Sequence, residues 1–169
     1  MNDAYLHLLI NHIPVILAPL GALAAILALV KRNRTVWLYA VATLTLAGAA
    51  VYPVKFTGER AEKVVERAIP TVSKDAIHDH EEAGDTATWI LLATGAISAW
   101  AWWRLARGGT TLPTWLAAAV VIGALASAGA VSYASYEGGL IVHTEAHNPV
   151  PPAAPGQDVS QVPANHSYP

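Results

Sequence analysis

Four uncharged, predominantly apolar runs constrain this chain more than any other feature. Leu8 to Val30 ends abruptly at Lys31, Arg32 and Arg34, and Thr35 to Val54 ends at Lys55. Thr86 to Trp103 is stopped by Arg104 and Arg107, and Leu112 to Tyr136 by Glu137 and the Gly138-Gly139 pair. About 20 residues of helix cross a hydrocarbon core of roughly 30 Å. In lipid the backbone must satisfy its own hydrogen bonds, so each run reads as a helix and not as a buried strand. Composition agrees: 54% of the 169 residues are apolar and 13% are charged, against about 25% charged in soluble domains. The sequence predicts an all-α fold, a four-transmembrane-helix bundle over residues 1–147 with spans at about 8–30, 35–54, 86–103 and 112–136. The first span reads as a retained helix and not a signal peptide, because Asp3 precedes it and its basic residues follow it.

The segments between and after the spans are polar. Within Lys55 to Asp85, the stretch Glu59 to Arg67 sets Ala61, Val64, Val65 and Ala68 at helical spacing among charges. This predicts a short amphipathic helix lying on the membrane face and ending near Pro70. From Asn148 onward Pro149, Pro151, Pro152, Pro155, Pro163 and Pro169 leave nothing to build a core from. Residues 148–169 are expected to be an extended or disordered tail.

Aromatic residues give a register. Trp37, Tyr39, Trp100, Trp102, Trp103 and Trp115 gather at one end of the four spans, Tyr5, Tyr52, Tyr133 and Tyr136 at the other. Such belts mark the two headgroup layers. Of the six tryptophans only Trp89 falls outside both. The two short loops hold five of the ten basic residues and no acid; the opposite face holds the other five and all twelve acids. That Lys/Arg count is tied, but the first span usually dominates. Its flanks, Asp3 and Lys31-Arg32-Arg34, place both termini outside the cytoplasm.

Composition also excludes chemistry. Without cysteine there are no disulfides, thiolate zinc sites, iron–sulfur clusters or covalent c-type haem. The only methionine is Met1, which removes a methionine axial ligand. The net charge of −2 and the absence of a basic run longer than Lys31-Arg32-Asn33-Arg34 argue against nucleic acid as a partner. No nucleophile motif, phosphate loop or H-E-x-x-H pair occurs.

All seven histidines (His7, His12, His78, His80, His143, His147 and His166) map to the face that carries the termini. His12 lies about two turns into the first span, and an ionisable group at that depth normally faces the bundle interior and has a partner. His80 opens the third span within His78-Asp79-His80-Glu81-Glu82, and His143 follows a return of apolar character at Leu140-Ile141-Val142. Three readings stay open. The imidazoles could simply hydrogen-bond at the interface without a cofactor. Two of them, His12 with His80 or His143, could hold a b-type haem against glycine surfaces such as Gly21, Gly48, Gly95, Gly123 and Gly129. Or His12, His80 and His143, with Glu81, could bind copper or zinc. Asp79 and Glu81 are candidates to orient the ligands.

Four segments, in order, resemble an uncharacterised family of bacterial four-helix membrane proteins. Leu6-His7-Leu8-Leu9-Ile10-Asn11-His12-Ile13-Pro14 is similar to its L-H-P-x-x-V-H-F-P opening, and Thr57-Gly58-Glu59-Arg60-Ala61-Glu62 to its T-G-x-P-A-E. Ile77 to Ala83 resembles its H-E-E-A helix start, and Gly138 to His143 its closing G-G-x-L-V-[Y/H]. Leu8 and Arg60 replace usual prolines, and His143 takes a position that is commonly Tyr. The resemblance therefore points to His7, His12 and His80 ahead of His143. It implies a fold similar to small b-type cytochromes that serve as membrane subunits of oxidoreductases in the bacterial inner membrane. The expected function is electron transfer by haem b, as a subunit and not an enzyme by itself, between a quinone and an extracytoplasmic partner such as a cytochrome. The alternative is a cofactor-free accessory subunit of a larger membrane complex.

Overall fold

A computed structural model describes residues 3–69 and 72–141. The described residues form five helical segments: α1 (Asp3–Ile10), α2 (His12–Lys31), α3 (Arg34–Ala68), α4 (Lys74–Ala106) and α5 (Thr114–Leu140). The first two are one helix interrupted at Asn11. Pro14 lacks the N–H that would bond the Ile10 carbonyl, and its ring crowds that carbonyl, so the chain breaks there. Three helical stretches are long and apolar enough to cross a membrane: Asp3–Lys31, Arg34–Ala68 and Thr114–Leu140. His143, His147, His166 and the tail lie outside the described residues.

The four long helices form a ring in which α2 packs on α3 and α5, α4 packs on the same two, and α1 lies along α3. The core is built from small residues. Ala25, Ala28, Ala40, Val41, Leu44, Ala101, Val120 and Ala124 fill the half nearer the basic loops. Ala18, Ala47, Val51, Ala87, Leu91 and Val131 fill the other. Most of the large apolar side chains point outward instead: Leu20, Leu23, Leu46, Trp89, Ile122 and Leu125 are all exposed. A soluble protein does not present such a surface to water. In lipid it is the expected arrangement, because small residues let helices approach and the larger ones meet acyl chains.

The closest approach is between α3 and α4. A Cβ on Gly48 would lie 2.8 Å from both Gly95 Cα and the Leu91 carbonyl oxygen, and one on Gly95 would lie 3.0 Å from Gly48 Cα. Gly21 is covered by the Leu44 side chain and Gly123 by that of Thr94. Beside this crossing the Ser127 hydroxyl donates to Thr94 Oγ1 at 3.1 Å, both residues being buried.

Two features differ from the sequence expectation. The amphipathic stretch is no separate helix on the membrane face, because Glu59 to Arg67 continues α3 to Ala68. Nothing after Pro53 breaks the helix, and Thr57 donates its hydroxyl to the Pro53 and Val54 carbonyls at 2.9 Å, restoring local bonding. With 35 residues, α3 is about 52 Å long and must project well beyond a bilayer core. Likewise α4 starts at Lys74, twelve residues before the apolar run, where the Ser73 hydroxyl accepts from Ala76 N–H. The second difference is Trp37. It is 5% exposed and belongs to the core, so it is not part of the aromatic belt.

At the basic end, Asn33 caps α3 by accepting from the Thr35 and Val36 amides. Arg34 reaches across to the α4–α5 connection, its Nε donating to the Gly109 carbonyl at 3.1 Å and Nη2 to the Leu105 carbonyl at 2.9 Å. These carbonyls lie at the end of α4, where helical donors run out. Replacing Arg34 by glutamine is expected to lower stability by about 1 kcal/mol, a partly solvated charge-assisted contact. Thermal unfolding in detergent, compared with Arg32→Gln as a solvent-facing control, reads the difference.

Candidate functional site: a histidine pair at the bundle end

The described parts of the motif-bearing segments meet in two pairs, α1 with α3 and α4 with α5. His7 on α1 turns onto α3, where its ring packs against Gly58: a Cβ there would lie 3.1 Å from His7 Cε1. His80 on α4 turns onto α5, where a Cβ on Gly138 would lie 2.9 Å from His80 Cε1. Each imidazole therefore occupies the space that a glycine on the facing helix leaves open. A larger residue at 138 would displace the His80 ring, and one at 58 would press on that of His7.

Backbone carbonyls set the tautomer of both rings. His7 Nδ1 is 3.1 Å from the Val54 carbonyl oxygen and 3.3 Å from Thr57 Oγ1. His80 Nδ1 is 2.9 Å from the Ala134 carbonyl oxygen. A carbonyl can only accept, so Nδ1 carries the proton in each case and Nε2 carries the lone pair. Tying one nitrogen to a carbonyl while the other stays basic is how metal-binding histidines are commonly oriented.

His12 is elsewhere. It is exposed on the outer surface of α2 and its Nδ1 donates back to its own helix, to the Leu8 carbonyl at 2.7 Å. Among the described residues His12 has no partner on another helix, and His143 lies outside them; the imidazoles that turn onto a facing helix are His7, against Gly58, and His80, against Gly138. Position along the chain suggests depth for His12, but the rotation of α2 about its axis turns it outward. Neither Asp79 nor Glu81 bonds His80. Both are exposed, and Glu81 lies with Glu82 around His78, at 3.9 and 3.7 Å. Among the described residues no three His, Cys, Asp or Glu side chains gather closely enough to hold a metal ion.

Sequence reasoning misses Glu137, which it treats only as the stop of the fourth span. The residue is 9% exposed, beside Gly138 and one turn after Tyr133. Its signal is that it is the only acid in α5. Tyr133 with Asp79, Glu82, Ala83 and Thr86 lines an open hollow of about 200 Å³ between α4 and α5.

Below the pair, Lys55 at the end of the second apolar run forms an ion pair with Asp85 at the start of the third, and lies 3.5 Å from Glu59. The pair joins α3 to α4 at the level where both leave the apolar layer. With side chains 35% and 49% exposed, its coupling in a double-mutant cycle of Lys55→Met and Asp85→Leu is expected to be about 0.5–1 kcal/mol. A cycle in detergent unfolding checks this, and additive single effects would mean that the two charges do not hold the helices.

No protein-family model, no curated protein and no solved structure matches this chain.

Proposed function

We propose that the protein is a four-span membrane subunit for electron transfer, with His7 and His80 as the two ligands of a b-type haem. The observation that carries this reading is the two imidazoles with their Nδ1 atoms on the Val54 and Ala134 carbonyls, which leaves each Nε2 with its lone pair. The donor set fits such a group: two neutral imidazoles suffice for a low-spin haem, and each ring is already held at Nδ1 by a backbone carbonyl. When bound, the haem supplies one-electron chemistry. The chain's part is to hold the two rings in a single tautomer, to exclude water with α1 and α3, and to set the local dielectric. The uncharged run 86–103 within α4 serves as the fourth span in this reading. Both termini lie on the non-cytoplasmic side of a bacterial inner membrane, facing a quinone-linked or cytochrome partner. The motif resemblance to the four-helix membrane family supports the same reading.

A second reading, a cofactor-free accessory subunit, is favoured by the glycine surfaces. Gly21, Gly48, Gly95 and Gly123 are all covered by neighbouring helices, so a porphyrin has no slot in the middle of the bundle and must lie at its end. The experiment is a dithionite-reduced minus oxidised spectrum of the detergent-purified full chain expressed with ample haem supply. A Soret band with a sharp α-band is the expected result. A flat spectrum from folded protein overturns the haem assignment. Elemental analysis of the same sample then separates a copper or zinc site at the same pair from the accessory reading.

A further inference from the structure

The end of the bundle opposite the histidine pair is chemically one-sided. It is formed by the α2–α3 and α4–α5 connections and carries Lys31, Arg32, Arg34, Arg104 and Arg107. No acid occurs between residues 4 and 58 or between 86 and 136. Asp85, the acid nearest to Arg104 on its own helix, is 19 residues away, about 28 Å along the axis. Arg34 is held by the protein, through the two carbonyls described above. Lys31, Arg32, Arg104 and Arg107 are exposed, and among the described residues no carboxylate pairs with them.

Exposed indoles surround these cations. Trp100 on α4 and Trp115 on α5 meet with ring centroids 5.3 Å apart. The Arg107 guanidinium lies 4.6 Å over the Trp103 ring, an arrangement that fixes the plane of its N–H donors while leaving its edge to accept a partner. Tryptophan of this kind belongs at headgroup depth. The cations are therefore at the level of lipid phosphates, and the flat donor fork of arginine suits a phosphate oxygen pair.

We propose that this end binds the phosphate groups of anionic phospholipids, which act as the counter-ions that the chain itself lacks. Zwitterionic lipid carries its own ammonium and cannot neutralise the patch, whereas an anionic headgroup gains from each uncompensated cation near the surface. Such binding needs only that the bundle spans a membrane; it is independent of any cofactor.

Five of the six tryptophans lie at this end, so their fluorescence reports it. The test places the full chain in phosphatidylcholine vesicles containing a minor fraction of brominated phosphatidylglycerol or, separately, brominated phosphatidylcholine. At low salt the brominated anionic lipid is expected to quench more strongly, corresponding to a preference of at least about threefold. About 0.5 M salt, which shortens screening to a few ångströms, should bring the two lipids close to parity. Lys31→Gln/Arg32→Gln/Arg104→Gln/Arg107→Gln should lose the preference at unchanged helicity, and Lys63→Gln/Arg67→Gln/Lys74→Gln at the other end should keep it. If the fourfold variant fails to fold, Arg104→Gln/Arg107→Gln and the salt titration of the unaltered chain decide. Equal quenching by the two lipids at low salt overturns the proposal and leaves the patch to an acidic protein partner. A preference unmoved by salt or by the substitutions overturns it as well.

Discussion

Gly48→Ala is expected to destabilise the bundle by about 1–3 kcal/mol, the cost of forcing extra volume into a closed interface. The new methyl would lie 2.8 Å from Gly95 Cα and from the Leu91 carbonyl oxygen. Both are backbone atoms, so no side-chain rotation relieves the overlap and α3 must move away from α4. That movement loosens the Thr94–Ser127 layer beside the crossing. Gly129→Ala is the control. Nothing lies within 4 Å of a Cβ there, and alanine is the better helix former by about 1 kcal/mol. Unfolding in mixed detergent micelles should therefore show the two substitutions moving stability in opposite directions. A neutral Gly48→Ala would mean that the two helices do not cross at this point.

His7→Ala and His80→Ala should each remove the reduced-minus-oxidised haem signal, by at least about tenfold, while His12→Ala leaves it in place. Loss of an oriented partner alone typically lowers metal affinity about 10- to 100-fold, and loss of the ligand itself costs more. His12 is expected to be silent because its ring is exposed on α2 and bonded to the Leu8 carbonyl of its own helix. Helicity and monodispersity of each variant separate ligand loss from misfolding. If His12→Ala abolishes the signal and His7→Ala does not, the ligand set is the one that linear position suggests, and the His7–His80 pair is structural. Gly138→Val supplies a further check: a Cβ there would lie 2.9 Å from His80 Cε1 and 3.1 Å from Nδ1, so the side chain would push the ring out of place while leaving the histidine itself unaltered.

The membrane character of the chain is legible in its amino-acid sequence. Charge is so depleted between Leu8 and Val30, between Thr35 and Val54 and between Leu112 and Tyr136 that water cannot be the solvent for those segments, and lipid admits only helices or closed barrels. That Gly58, His80 and Gly138 share one end of the bundle is also legible, from the order of the spans. Which histidine joins them is not. His7 and His12 differ by five residues, about 500° of rotation on a helix, and the break at Asn11 changes the phase between them. Neither the direction of that break nor the roll of α2 against α3 and α5 is encoded in local periodicity. The same holds for Trp37. Sequence position puts it in a headgroup belt, yet its place on the inner stripe of α3 buries it.

The sequence by itself determined the solvent, the helical class, the approximate limits of the apolar runs and the segregation of charge between the two ends. These follow from composition and from the cost of an unpaired backbone in lipid, which act on each segment separately. Tertiary structure alone decided that α3 and α4 continue past the apolar layer, that Gly48 and Gly95 touch, and that His7 and His80 turn inward while His12 faces out. Those outcomes depend on how one helix is rotated against another. In an alanine-rich bundle, many rotations bury similar surface, and the choice among them is made by a few close contacts and hydrogen bonds between residues far apart in the chain.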